Sequence, residues 1–268
     1  MDKLRIVVII LACVGIVVSG VMIFKTQSEY NAASKEYSNL EKYIEFDSKG
    51  ENNTDEHIVS ENSQKELRRN YNRSDFPSIN IDYEGLHSVN EDYIGWLYVG
   101  GADISYPVVQ GEDNDYYLHN TFERESNFAG CIFIDCDDKS DFSGWNTFVY
   151  GHAMKNGTMF GNLKAFRKND TVYDENPYIY MFLQDGIYRY KIYSYYIDKK
   201  DSEMYYSCDN LKQYRQYLRT AKDKSVRECD TEVSEEDNSI TLVTCSGTAS
   251  NKQRFFVHGI FVDRYLYE

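Results

Sequence analysis

The sequence predicts a mainly β protein built on a closed or nearly closed eight-stranded barrel. Three observations carry that prediction. Eight short runs of strand-type residues follow one another between residues 95 and 262, with turn signals between them. Asp185-Gly186 separates two of these runs and is a hairpin signal. The chain holds 25 Tyr and 3 Pro, a balance that suits wet, half-buried sheet faces.

Taken in order, the chain opens with IVVIILACVGIVVSGVMIF, Ile6 to Phe24. No charge interrupts these residues, and about 19 residues suffice to cross a bilayer's hydrocarbon core. Lys3 and Arg5 precede the run and Lys25 follows it, so the cationic bias toward one side is weak. A cleaved signal peptide would have a shorter apolar region and a small-residue cleavage site, and Val18-Ser19-Gly20 is a poor match for one. The expectation is a retained single-pass anchor over residues 1–25, with the N-terminus cytoplasmic and the remainder extracellular.

Residues 26–75 read as a helical and linker stalk. Tyr30, Tyr37, Leu40, Tyr43 and Ile44 recur near a helix's spacing within 27–45. Residues 47–57 are polar and turn-rich, and 60–71 suit a second short helix. The folded domain is expected to span 76–268. Its eight strand runs are 95–99, 104–109, 130–135, 146–151, 178–183, 188–197, 239–244 and 254–262, with helical pieces at 88–94, 159–167 and 210–222. The last piece sets Leu211, Tyr214 and Leu218 on one face. It lies in a long excursion before the strand ITLVTC, where such excursions often shape a binding site.

The formal charge of −14 argues against a nucleic-acid partner, which needs a basic face. Six cysteines are present: Cys13, Cys131, Cys136, Cys208, Cys229 and Cys245. No CxxC pair occurs among them, so zinc-ribbon and thioredoxin-like readings lack support. Cys131, Cys136, Cys208 and Cys229 are expected to be thiols without a catalytic role.

Three separated residues could converge. Cys245 ends a strand, beside a turn. His152 follows the strand and glycine of VYGH. Arg254 begins the strand after the cysteine's, beyond a small, polar segment. If these last two strands are antiparallel neighbours, thiol and guanidinium meet. Attack on a carbonyl needs a thiolate. A leaving amine needs a proton, which imidazole can supply. The oxyanion needs positive charge, which Arg supplies without being able to act as a base. Each residue alone is unspecific. His258 lies within an apolar strand and suits the core, while His57, His87 and His119 suit the surface. A metal site from His152, Cys245 and His258 has no supporting short ligand spacing.

Together, TLVTC, the Arg nine residues on and the upstream YGH resemble the sortase signature of cysteine transpeptidases. GWLYVGGADISYPVVQGEDNDYYL and YGHAMKNGTMFGNL are similar to class B sortases. The resemblance runs from about Tyr93 to Val262 and implies the family's eight-stranded barrel. It implies Cys245 as nucleophile, His152 as general acid then base, and Arg254 as oxyanion or substrate clamp. It further implies peptide contacts at Asn114, Leu118, Tyr150 and Thr244, and a groove near Tyr205 and Tyr206. The implied activity is cleavage of a C-terminal sorting motif after Thr and transfer of the protein to an amine. That amine is a peptidoglycan precursor's or a pilin lysine's, so the implied partners are sorting-signal-bearing surface proteins and the cell membrane. No cofactor and no calcium are expected. The class often carries an acidic residue after the cysteine, whereas Ser246-Gly247 stands here. Rival readings are a thiol hydrolase with the same trio and a non-catalytic surface-binding module.

Overall fold

A computed structural model describes residues 2–46, 72–245 and 252–267. The polar link at 47–57, the helix expected at 60–71, His57 and the turn at 246–251 lie outside the described residues. Helix α1 (Asp2–Leu40) runs without a break from the apolar N-terminal segment into the stretch whose Tyr spacing predicted a separate helix. Its apolar part is wholly exposed within the chain, with a mean hydropathy of 3.1 over its most apolar window. Its last turns are instead seated on the body. Ala33 and Leu40 are buried, and Tyr30 and Tyr37 meet Phe128 and Tyr106 edge-on. Strands β1 (Ile44–Phe46) and β2 (Ile79–Ile81) then form a small antiparallel pair, in register Ile44↔Ile81.

Helix α2 (Tyr83–Val89) precedes β3 (Tyr93–Val99), so the helical piece expected at 88–94 is displaced toward the N-terminus. The reason is capping. The Asp82 side chain accepts from the Gly85 N–H and starts the helix there, and extended Asn90 ends it. The chain continues through β4 (Ile104–Val109), the single turn α3 (Tyr116–His119), β5 (Ile132–Ile134) and β6 (Asn146–Gly151). Two short helices follow, α4 (Ala165–Lys168) and α5 (Asp170–Glu175), separated where the Asn169 side chain caps α5. Then come β7 (Tyr178–Leu183), β8 (Gly186–Lys199), α6 (Leu211–Lys224), β9 (Ser239–Cys245) and β10 (Gln253–Leu266). All eight expected strand runs are present, and the Asp185-Gly186 turn closes the β7–β8 hairpin in register Leu183↔Gly186.

The barrel closes in the order β10-β8-β7-β3-β4-β5-β6-β9. Its joins are antiparallel except β4–β5 and β6–β9, which are parallel. Parallel neighbours need a crossover rather than a hairpin. The residues between β4 and β5 and the β7–β8–α6 passage between β6 and β9 provide them. Alternation along each strand sorts the side chains. Leu97, Val99, Ile240, Leu242, Phe255 and Val257 fill the interior. Phe148, Val243 and Phe256 face outward and are covered by α6.

Helix α6 is capped by Asn210, which accepts from the Gln213 N–H. It buries Tyr214, Tyr217, Leu218 and Ala221. Leu211 is only half-buried, and Tyr217 completes the face that the sequence assigned to it. Burial of Leu218 contributes about 1.5–3 kcal/mol. The tyrosines expected on wet sheet faces are largely covered instead: Tyr190, Tyr193, Tyr195 and Tyr196 are at most 2% exposed. The covering helix accounts for Tyr193 and Tyr196, which join its cluster; Tyr190 and Tyr195 belong to the barrel interior.

Candidate active site

Strand register brings the three candidate residues to one end of the barrel. In the antiparallel β9–β10 pair, Cys245 lies directly opposite Arg254. In the parallel β6–β9 pair, Gly151 lies beside Thr244, so His152, the next residue, leaves the sheet next to the backbone of Cys245. Residues 93 positions apart in sequence thus share a rim because β6 and β9 run in the same direction.

His152 is half-buried. Its Nε2 lies 2.8 Å from the Leu118 carbonyl oxygen. A carbonyl can only accept, so Nε2 carries the proton. Burial holds the His152 pKa below its ordinary value. The Leu118 hydrogen bond opposes that shift, and the positive charges of His119 and Arg254 add to it. The ring is therefore neutral at neutral pH. Arg254 is half-buried on β10, with Nη1 donating to the Gln253 carbonyl at 3.0 Å. On its other side β10 pairs with β8, where Asp198 stands opposite Arg254.

The connection that presents Leu118 is itself pinned. The Tyr117 hydroxyl bonds to Asn90 and Asp92, and Arg124 reaches the carboxylates of Glu91 and Asp92. Gly130, at φ +59°, folds the chain back so closely that a Cβ would sit 2.6 Å from the Tyr117 oxygen and 2.9 Å from that of Leu118. The Tyr37 hydroxyl of α1 donates to the Gly130 carbonyl at 2.7 Å.

The other expected site residues surround this rim. Asn114 is exposed, and its Oδ1 accepts from the Cys136 N–H at 2.9 Å. Leu118 is half-buried and acts on His152 through its backbone. The Tyr150 hydroxyl donates to Asp135 at 2.8 Å, while its ring stacks on Phe148 and Tyr205. Burial and the Asp135 carboxylate push the Tyr150 hydroxyl's pKa up, so it remains a neutral donor. Tyr205 also meets Phe256, and Tyr206 meets Tyr217. These rings form an aromatic wall on the outer face of β6, β9 and β10.

Thr244 points the other way and is 3% exposed. It lines a cavity of about 220 Å³ at the inner mouth of the barrel, together with Ala153, Phe255 and the cations Lys155, Lys164 and Arg167. The sequence reading passed over these cations because they follow the histidine as an ordinary polar loop. Only the folding of 153–167 over the barrel end gathers them. His258 is fully buried and bonded to the hydroxyls of Thr241, Tyr217 and Tyr196, which places it in the wall beneath α6. Cys131 and Cys229 are buried thiols, and Cys136 and Cys208 are half-exposed thiols.

Comparison with known proteins agrees with this geometry. A sortase-domain family model matches residues 97–262. Sortase B of Listeria monocytogenes is 32% identical over 183 residues, 67% of this chain and 73% of that protein. Sortase B of Staphylococcus aureus is 33% identical over 176 residues, 65% of this chain and 72% of that protein. The crystal structure of Clostridium perfringens sortase B superposes with a TM-score of 0.63 at 34% identity, covering 67% of this chain and 99% of that one. A Staphylococcus aureus sortase B–substrate complex gives 0.62 at 31%, covering 68% of this chain and 84% of that one.

Proposed function

The chain belongs to the sortase family of cysteine transpeptidases, and from that premise we propose that Cys245, His152 and Arg254 carry out acyl transfer on a C-terminal sorting signal. Neutral His152 takes the proton of the Cys245 thiol, and the thiolate attacks the carbonyl of the substrate's Thr. Arg254 stabilises the oxyanion. The imidazolium then gives its proton to the departing amine, leaving a thioacyl-enzyme. An acceptor amine of a peptidoglycan precursor attacks this thioester and loses its proton to His152. Collapse expels the thiolate, which is reprotonated.

The observation that supports this reading is the backbone register Cys245↔Arg254 together with Gly151↔Thr244, by which the three residues leave the sheet at one end of the barrel. The donor peptide lies along the aromatic wall of Tyr150 and Tyr205, with Asn114 and Leu118 around its Thr end, and Thr244 meets the bound substrate from the inner cavity that it lines. Residues 1–25 serve as a single-pass membrane anchor with a cytoplasmic N-terminus, 26–75 as a stalk, and 76–268 as the extracellular catalytic domain. The exposed apolar part of α1 supports the anchor.

The test is full-length chain in detergent with sorting-signal peptides, with and without an amine. The amide product forms with amine present, and Cys245→Ala abolishes cleavage. His152→Ala lowers kcat/KM by about 10²–10⁴, and Arg254→Ala by about 10²–10³. Hydrolysis alone at every amine concentration would leave a thiol hydrolase and end the transpeptidase reading.

A further inference from the structure

The cavity at the barrel mouth is cationic in an acidic chain. The chain carries 43 acidic and 29 basic residues. Yet Lys155, Lys164 and Arg167 line this cavity and no acidic residue does. Among the described residues, none of the three cations has a carboxylate within ion-pair distance. Their floor is apolar, built from Met154, Phe160 and Phe255.

Its position is tied to each proposed catalytic residue. Ala153 follows His152, Thr244 precedes Cys245 and Phe255 follows Arg254, and all three line the cavity. Phe255 belongs to the interior cluster and Phe256 to the outer one. Alternation therefore sets the cavity on the inner face of the β9–β10 rim, and the aromatic wall on the outer face. A donor peptide on the outer face leaves the cavity open.

From this arrangement we infer that the cavity is the acceptor subsite, and that it selects an amine whose molecule also carries a carboxylate. The inference rests on the transpeptidase reading above and adds the acceptor's chemistry to it. At about 220 Å³ the cavity is smaller than the roughly 300–1,000 Å³ of sites for drug-sized ligands. It suits an amino-acid or dipeptide end. The carboxylate meets the cationic rim through charge-assisted contacts. The same positive field disfavours an ammonium and so raises the fraction of free amine, the form that attacks the thioester.

The experiment uses full-length chain in detergent, a sorting-signal peptide as donor, and glycyl-alanine or glycyl-alanine amide as acceptor. Glycyl-alanine has an acceptor KM about tenfold lower than its amide, equivalent to about 1.4 kcal/mol. That advantage shrinks as salt rises, because exposed charges are screened. In the Lys155→Gln/Lys164→Gln/Arg167→Gln variant the advantage disappears, while donor cleavage without acceptor is unchanged. Equal KM values for acid and amide in the unsubstituted chain overturn the inference, as does a variant that weakens both equally. Absence of donor cleavage would retire the transpeptidase reading instead. The subsite is then judged by equilibrium binding of glycyl-alanine to the Cys245→Ala chain, which the triple substitution weakens if the inference holds and leaves unaltered if it fails.

Discussion

Two imidazoles in this chain have contrasting settings, one half-buried and one enclosed. His152 gives its Nε2 proton to one backbone carbonyl at the barrel rim. His258 is enclosed by three hydroxyls, and burial lowers its pKa to about 3. For His152 the lowered pKa means that the neutral base persists below the ordinary value of 6.5. The acid limb of kcat/KM against pH therefore falls below pH 6.5, and a limb above 6.5 would contradict it. For His258 the consequence is in stability. Below about pH 6.5 the unfolded chain takes up a proton that the native chain refuses down to about pH 3. Native stability is thus lost as pH falls through that window. Thermal midpoints drop between pH 7 and pH 4, and the drop is smaller in His258→Gln. The sequence set His258 in the core, where the structure has it, because it sits amid apolar strand residues, and set His152 apart because it follows a glycine. It could not foresee the Leu118 carbonyl, since a backbone acceptor has no residue signature.

At the scale of elements, the strands were the legible part. Alternating apolar residues and turn dipeptides mark them, and all eight appear within a few residues of their expected limits. Helices were less legible because side-chain caps and tertiary cover, rather than periodicity, set their limits. Asp82 moved α2 upstream, and Tyr217 took the place expected of Leu211. The connection between β4 and β5 was not legible as a positioning device. Gly130 lets it pass close to Leu118, whose carbonyl holds His152. Gly130→Ala introduces a Cβ against two backbone oxygens at a positive φ, and destabilises the fold by about 1–3 kcal/mol. The displaced carbonyl also releases the imidazole. At temperatures where the variant is fully folded, kcat/KM still falls and its acid limb moves, a shift that loss of stability alone would not produce.

Across the whole molecule, closure of the barrel is what converts remote positions into neighbours. The sequence implied closure through its strand count and its family resemblance. The parallel β6–β9 join that brings His152 to Cys245 has no local signal. The overall organisation is tested by topology. Protease added outside sealed right-side-out vesicles digests residues 76–268 and spares a tag at the N-terminus; digestion of the tag would refute the proposed orientation. One feature of α1 bears on how such a protein would work in place. The helix continues from its lipid-compatible half to its seat on Phe128, Tyr106 and Gly130 without a joint. At about 1.5 Å per residue, its post-apolar turns act as a fixed mast rather than a leash. In the proposed anchored state the barrel rim would be held at a set height and azimuth over the bilayer, and cargo would be screened by whether its tail reaches that altitude before chemistry begins.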